Sequence, residues 1–323
     1  MKESTVLVTG ATGFIGSHVV RLLLEKGGAT VVASNTSGSR RNLEDVQAQV
    51  EFVRADSGSF TSVLRMVENT RPETIYHIGA MLAPACDADP EAGIRANALG
   101  TYHILEAARL FGVRQVIFAS SMSVLTGAFA REPVVDDFSV TRPDFVYGAA
   151  KLFSENIGLF YKRQYGFDYR GLRLPNVIGP GTQTHGYLEY FNKTIEESAG
   201  GHPYSLYVAP RVRIPILYIH DAARAFIDLA AAPVEQIKTV NYIVSGPTPS
   251  PTAEELVVKV KARIPGARLD FQIDQKVSDL IESVVARPFE DTYARLEWGW
   301  RHRYGMEEII EGFVTHATRK TNA

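Results

Sequence analysis

The sequence predicts a doubly wound α/β fold, in which a parallel sheet is covered by helices on both faces and a smaller lobe is built from the C-terminal half. Two observations carry this. Short β-branched runs alternate with helix-length amphipathic stretches through the first half, and a glycine-rich turn joins the first run to the first helix. Strand and helix alternating in this way imply right-handed crossovers and parallel strands. A chain of 323 residues, 45% of them hydrophobic, has ample interior for such a core.

The elements follow in order. Val6-Leu7-Val8, Thr30 to Ala33, Val50 to Val53, Thr74 to His77 and Val116 to Ala119 read as buried strands. Between them, Phe14 to Lys26, Phe60 to Glu68 and Glu91 to Phe111 have helical length and pattern. Tyr169 to Leu174 reads as a further strand, followed by a Pro/Gly-rich loop from Pro175 to Gly186. The cluster Ser245 to Pro251 is a second break, and Thr252 is placed to cap a helix starting at Ala253. Residues 1–175 with 213–245 are expected to form a dinucleotide-binding domain, and 176–212 with 246–323 a substrate lobe. Nothing repeats internally.

Composition narrows the function classes. Lys+Arg 34 against Asp+Glu 36 leaves a net charge of -2, so no basic excess recruits nucleic acid. The one cysteine, Cys86, excludes an internal disulfide and a Cys-rich metal site, and the eight histidines show no metal spacing. The start has no apolar leader, and no apolar run approaches the ~20 residues that span a bilayer. The expectation is a soluble cytoplasmic protein with no nucleic-acid, membrane or metal partner.

Directly after the first strand stands Gly10-Ala11-Thr12-Gly13-Phe14-Ile15-Gly16. Glycines let a backbone turn sharply and approach a pyrophosphate, which then meets free N–H groups at a helix N-terminus. The spacing is G-x-x-G-x-x-G, and its place in a βαβ unit points to a dinucleotide rather than a bare turn. Residues 26–43 contain no Asp or Glu to hold a 2′-hydroxyl. Ser34 and Asn35 end the second strand, with Arg40 and Arg41 beyond. The guanidinium of Arg40 suits a 2′-phosphate, which tips the NAD(P) reading toward NADP. A loop arginine is also commonly just solvated, and Ser34 or Asn35 would equally serve an unphosphorylated ribose. Asp56, after the third strand, would accept from an adenine amino group or simply favour a helix N-terminus.

The fifth strand ends in Ser120-Ser121-Met122-Ser123, at the sheet edge where doubly wound folds bind ligands. Further on, Tyr147 and Lys151 lie at i and i+4 on one helical face. A tyrosine titrates near 10, so service as a base at neutral pH requires a neighbour that favours phenolate.

With the glycine turn, Tyr76 to Ala80, Asn97, Ser120-Ser121, Tyr147/Lys151, Leu174 to Gly181 and Ile219-His220-Asp221-Ala222, the sequence resembles the extended short-chain dehydrogenase/reductase superfamily, the NAD-dependent epimerase/dehydratase group. The resemblance covers nearly the whole chain and implies a Rossmann sheet. It implies that Ser121 polarises the substrate oxygen, Tyr147 exchanges its proton and Lys151 holds the nicotinamide ribose. It also extends the cofactor site from Gly10, Thr12, Gly13, Phe14, Ile15 and Gly16 to Ser57, Gly79, Ala80, Met81, Asn97, Ala119, Leu174, Asn176 and Val177. Helices 91–111 and 147–165 would then form a homodimer interface.

Gly200 to Tyr207, Arg213 to Tyr218, Ser245 to Glu255 and Glu290 to Trp300 are similar to the short-chain type of L-threonine 3-dehydrogenase. The implied reaction moves a hydride between nicotinamide and a secondary alcohol or ketone of a small polar substrate. Ser123, Thr184, His185 and Arg213 join Ser121 and Tyr147 as substrate candidates. The alternative is a nucleotide-sugar epimerase or dehydratase that reduces its cofactor transiently. Against threonine stand the missing acid after the second strand and the substrate loop Thr182 to Tyr187, which lacks a Thr-Thr-Asp-Tyr run.

Overall fold

In the computed structural model the described residues are 4–126, 132–182, 186–285 and 288–321. Strands β1 (Ser4–Thr9), β2 (Ala29–Asn35), β3 (Glu51–Arg54), β4 (Thr74–His77), β5 (Gln115–Ser121) and β6 (Asp168–Leu174) carry the main sheet. Short strands β7 (Asn176–Ile178), β8 (Tyr204–Leu206), β9 (Ile216–Tyr218), β10 (Asn241–Ile243) and β11 (Leu269–Phe271) follow. The helices are α1 (Phe14–Lys26), α2 (Phe60–Thr70), α3 (Ala83–Ala88), α4 (Pro90–Gly93), α5 (Gly100–Phe111), α6 (Val146–Tyr165), α7 (Tyr190–Ala199), α8 (Ile219–Ala231), α9 (Ala253–Arg263), α10 (Gln275–Val285), α11 (Thr292–Trp298) and α12 (Met306–Thr321).

The main sheet has seven parallel strands in the order β10-β6-β5-β4-β1-β2-β3. The continuous apolar runs are explained by burial on both faces. Val6, Val8, Val31, Ala33 and Ile117 pack against Val19, Val20 and Leu23 of α1 and Phe226 and Leu229 of α8. Their sequence neighbours Leu7, Val32, Val116 and Phe118 point the other way, onto α2 and α5. Strand β10 joins beside β6, so the chain returns to this sheet after leaving it.

A second core lies among α7, α9 and α12, with Phe191, Ile195, Leu256, Val260, Ile309 and Phe313 fully buried. Thr252 caps α9 as the sequence predicts: its hydroxyl accepts from Glu255 N, and the Glu255 carboxylate accepts from Thr252 N. The predicted helix from Glu91 to Phe111 is interrupted. Residues Ile94–Leu99 form a π-helical turn between α4 and α5, a widening common at functional sites.

Candidate active site

The chain runs outward from β1 to β2 and β3, then returns to place β4 on the other side of β1. This reversal opens a crevice at the carboxyl ends of β1 and β4, the usual ligand position in such sheets. Gly10 closes β1 at φ +64, and a Cβ on it would stand 2.5 Å from Gly79 Cα. A Cβ on Gly16 would stand 2.2 Å from Gly10 O. Only glycine permits both approaches. Helix α1 begins at Gly13 with no side-chain cap and no acid in its first turn. Its opening N–H groups are therefore left to an anion.

From this turn a cavity of about 1370 Å³ extends in both directions. One arm passes Ser34, Asn35, Asp56 and Ser57; the other passes Gly79, Ala80, Met81, Ala119, Ser121, Ser123, Tyr147, Lys151, Leu174, Asn176 and Val177. These residues, with Gly10, Gly13, Phe14, Ile15 and Gly16, share one wall, and an extended dinucleotide fits the glycine cradle and the paired arms.

Four predicted residues lie elsewhere than in the cavity wall, each for a visible reason. The Thr12 hydroxyl accepts from Asn35 Nδ2 and its carbonyl accepts from Asn42 Nδ2, so it braces the turn from behind. Asn97 binds the backbone of Met81 and donates to Cys86 Sγ. Arg40 is exposed, its guanidinium 4.4 Å from the centroid of the Phe52 ring. Arg213 pairs with Glu255 at 3.4 Å and bridges to Thr252 in the lobe. Thr184 and His185 lie outside the described residues.

In the second arm, Ser121 Oγ donates to Ser123 Oγ at 2.9 Å and accepts from Ser123 N, and Tyr147 stands against Ser121. Lys151 is buried; its Nζ donates to Ala119 O at 2.6 Å and stands 5.6 Å from the Tyr147 ring centroid. The ammonium therefore lies beneath the ring rather than on the phenol oxygen. Burial pushes the phenol up to about 12, with the Ser121 hydrogen bond pulling the other way. Burial also brings Lys151 down to about 8. The depressed tyrosine that base catalysis wants is not supplied by the lysine alone.

Sequence reasoning missed Arg95, which lines the far arm 3.7 Å from the Asp56 carboxylate. It also missed Leu280, Ile281 and Ser283 of α10, and Tyr187 to Glu189, which line the same cavity. The apolar stripe Val277, Leu280, Ile281 was a visible signal, but it reads equally as ordinary core.

The match to known proteins agrees with this geometry. Residues 6–244 match the NAD dependent epimerase/dehydratase family. The chain belongs to that family. It is thus an NAD-dependent enzyme of the extended short-chain type, passing hydride between a nicotinamide and a secondary alcohol or ketone. Within and beyond the family's span, it is 27% identical over 309 residues to mitochondrial L-threonine 3-dehydrogenase of Bos taurus, covering 95% of this chain and 81% of the bovine one. It is 28% identical over 326 residues to D-erythronate dehydrogenase of Cupriavidus necator, covering 97% and 98% of the two chains. Among solved structures, the UDP-glucose 4-epimerase of Thermus thermophilus in complex with NAD superposes with TM-score 0.80 at 27% identity, covering 97% and 99%. No helix of the described residues is long and apolar enough to cross a membrane, and among those residues no cluster of His, Cys, Asp or Glu could hold a metal.

Proposed function

We propose that the chain catalyses net NAD(P)-dependent oxidation of a secondary alcohol on a small polar hydroxy or amino acid, and the reverse reduction. The observation that carries this is that the resemblance to threonine and erythronate dehydrogenases runs through the lobe as well as the sheet, over at least 95% of this chain. A bound oxidised nicotinamide would supply the acceptor for the hydride of the carbinol carbon. Tyr147, as the phenolate, would take the hydroxyl proton as the carbonyl forms, and Ser121 Oγ would hold the substrate oxygen in line. Ser123 fixes Ser121 in that orientation. Lys151 gives one proton to Ala119 O and keeps two with which it would hold the nicotinamide ribose. A phenol held near 12 is neutral at pH 7, and the positive charge of a bound oxidised nicotinamide would favour its ionisation to the phenolate that serves as base.

NADP is the preferred cofactor in this reading. Its support is the absence of any carboxylate over residues 26–43 and the guanidinium of Arg40 beyond Ser34 and Asn35. Homodimerisation through α5 and α6 is supported by their exposed apolar residues Tyr102, Leu110, Phe153, Leu159 and Phe160. A cytoplasmic setting fits a chain whose single cysteine is a buried free thiol.

The test is nicotinamide absorbance with NAD and NADP against small hydroxy acids and amino acids, L-threonine and D-erythronate included. Net reduction is expected, falling about 10²–10⁴-fold in Tyr147→Phe while dinucleotide binding persists. Turnover of UDP-glucose with no net reduction of any compound would overturn the dehydrogenase reading in favour of epimerisation.

A further inference from the structure

Beneath the catalytic residues lies a buried polar cluster that the mechanism above does not use. Tyr147, Lys151 and Glu155 stand at successive i+4 positions on α6, so all three face the end of β5. Glu155 is 2% exposed. It accepts from Ser120 Oγ at 2.5 Å, from Arg173 Nε at 3.0 Å and from Arg173 Nη2 at 2.8 Å. Arg173, on β6, also donates to Asp137 O at 2.6 Å. Ser120 donates into this cluster, and its neighbour Ser121, at the end of β5, stands against Tyr147.

The two stitches have one geometric consequence. Lys151 is tied to Ala119 O and Glu155 to Ser120 Oγ, at consecutive residues of β5, so α6 has one permitted register against the strand. Ser121, the next residue of β5, stands against Tyr147. We propose that Glu155 is a positioning residue for the reaction, its buried carboxylate fixing the register of α6 on β5 and holding the positive charge of Lys151 beneath Tyr147.

Electrostatics supports the second half. Burial draws Lys151 down to about 8, and Cys86 and Glu155 both pull it back up. The groups facing this region are Tyr147 on α6, Cys86 on α3, His77 on β4, Arg173 and Tyr169 on β6, and Asp137 from the preceding loop. His77 is neutral, its ring held by Thr9 and Thr101 and burial pushing it down to about 3. Glu155 is the carboxylate one helical turn from the ammonium, and Arg173 is its neutralising partner on the far side.

The inference rests on the role given to Lys151 above, but its test needs no substrate, so a failed substrate panel leaves it standing. The full chain is labelled with ¹⁵N at lysine Nζ, and the Lys151 resonance, identified by its loss in Lys151→Met, is titrated. The midpoint is expected near pH 8 in the native sequence. It is expected about one pH unit lower in Glu155→Gln. In Arg173→Met, where the carboxylate stays and its cation goes, the midpoint moves up. Opposite signs are the signature, since a purely structural role would displace both variants alike. Unchanged midpoints, or shifts of the same sign, overturn the proposal. Should either single variant fail to fold, Glu155→Met/Arg173→Met leaves no unpaired charge. That pair is expected to lower the midpoint, and an unchanged one would equally overturn the proposal.

Discussion

Asn97 grips the backbone of Met81 from both sides: Oδ1 accepts from Met81 N at 2.8 Å and Nδ2 donates to Met81 O at 2.9 Å. The side chain is 3% exposed and lies behind the cavity wall that Gly79, Ala80 and Met81 form. Asn97 itself sits in the π-helical turn, whose widened backbone brings it to the end of β4. It therefore shapes that wall without lining the cavity.

Asn97→Ala removes both bonds and leaves the N–H and C=O of half-buried Met81 to find new partners. Each such loss is worth ~1 kcal/mol. The dissociation constant for NAD or NADP is expected to rise on the order of tenfold, read by isothermal calorimetry. Asn97→Asp keeps the acceptor and should fall between. An affinity unchanged in Asn97→Ala would show that the β4 loop is held by its other contacts alone.

Arg40 is the residue on which the NADP preference turns. It leans on Phe52 rather than into the cavity, so a 2′-phosphate must draw it off that ring. An exposed cation–π contact costs only about 0.5–1 kcal/mol to break, less than a charge-assisted bond to phosphate returns. Arg40→Ala is expected to weaken NADP about tenfold and leave NAD within about twofold, measured by fluorescence titration of each. Equal effects on both dinucleotides would remove the phosphate role.

Asp137 gives the fold a pH dependence. Its Oδ1 accepts from Ile243 N at 2.5 Å, whereas Oδ2 is buried without a partner among the described residues. Burial pushes the carboxyl up to about 7. A folded-state value above the unfolded one means that the native protein holds this proton more tightly. Its stabilisation is full below about pH 4 and is lost as pH rises through 7. The upper bound is roughly 4 kcal/mol for a rise of this size. Asp137→Asn keeps the Ile243 contact and cannot ionise, so its Tm should decline less between about pH 5 and pH 8 than that of the native sequence. Parallel declines by calorimetry would show that Asp137 stays ionised, paired with Arg173.

The sequence alone determined the parallel sheet, the glycine turn and the shared helical face of Tyr147 and Lys151. Strand and helix periods are local, a turn that meets phosphate needs its glycines in one short run, and an i, i+4 pair shares a face wherever a helix forms. Tertiary structure alone decided that Thr12 and Asn97 brace the wall from behind, that Arg213 pairs with Glu255, and that Arg95 and α10 reach the cavity. The same holds for Glu155: as a letter it is one more charge on a helix, and its meeting with Ser120 and Arg173 depends on β5 and β6 lying side by side. Spacing along the chain fixes which face a side chain occupies. What stands opposite that face, and hence its charge, its partners and its exposure, is set by strands and helices far away in sequence.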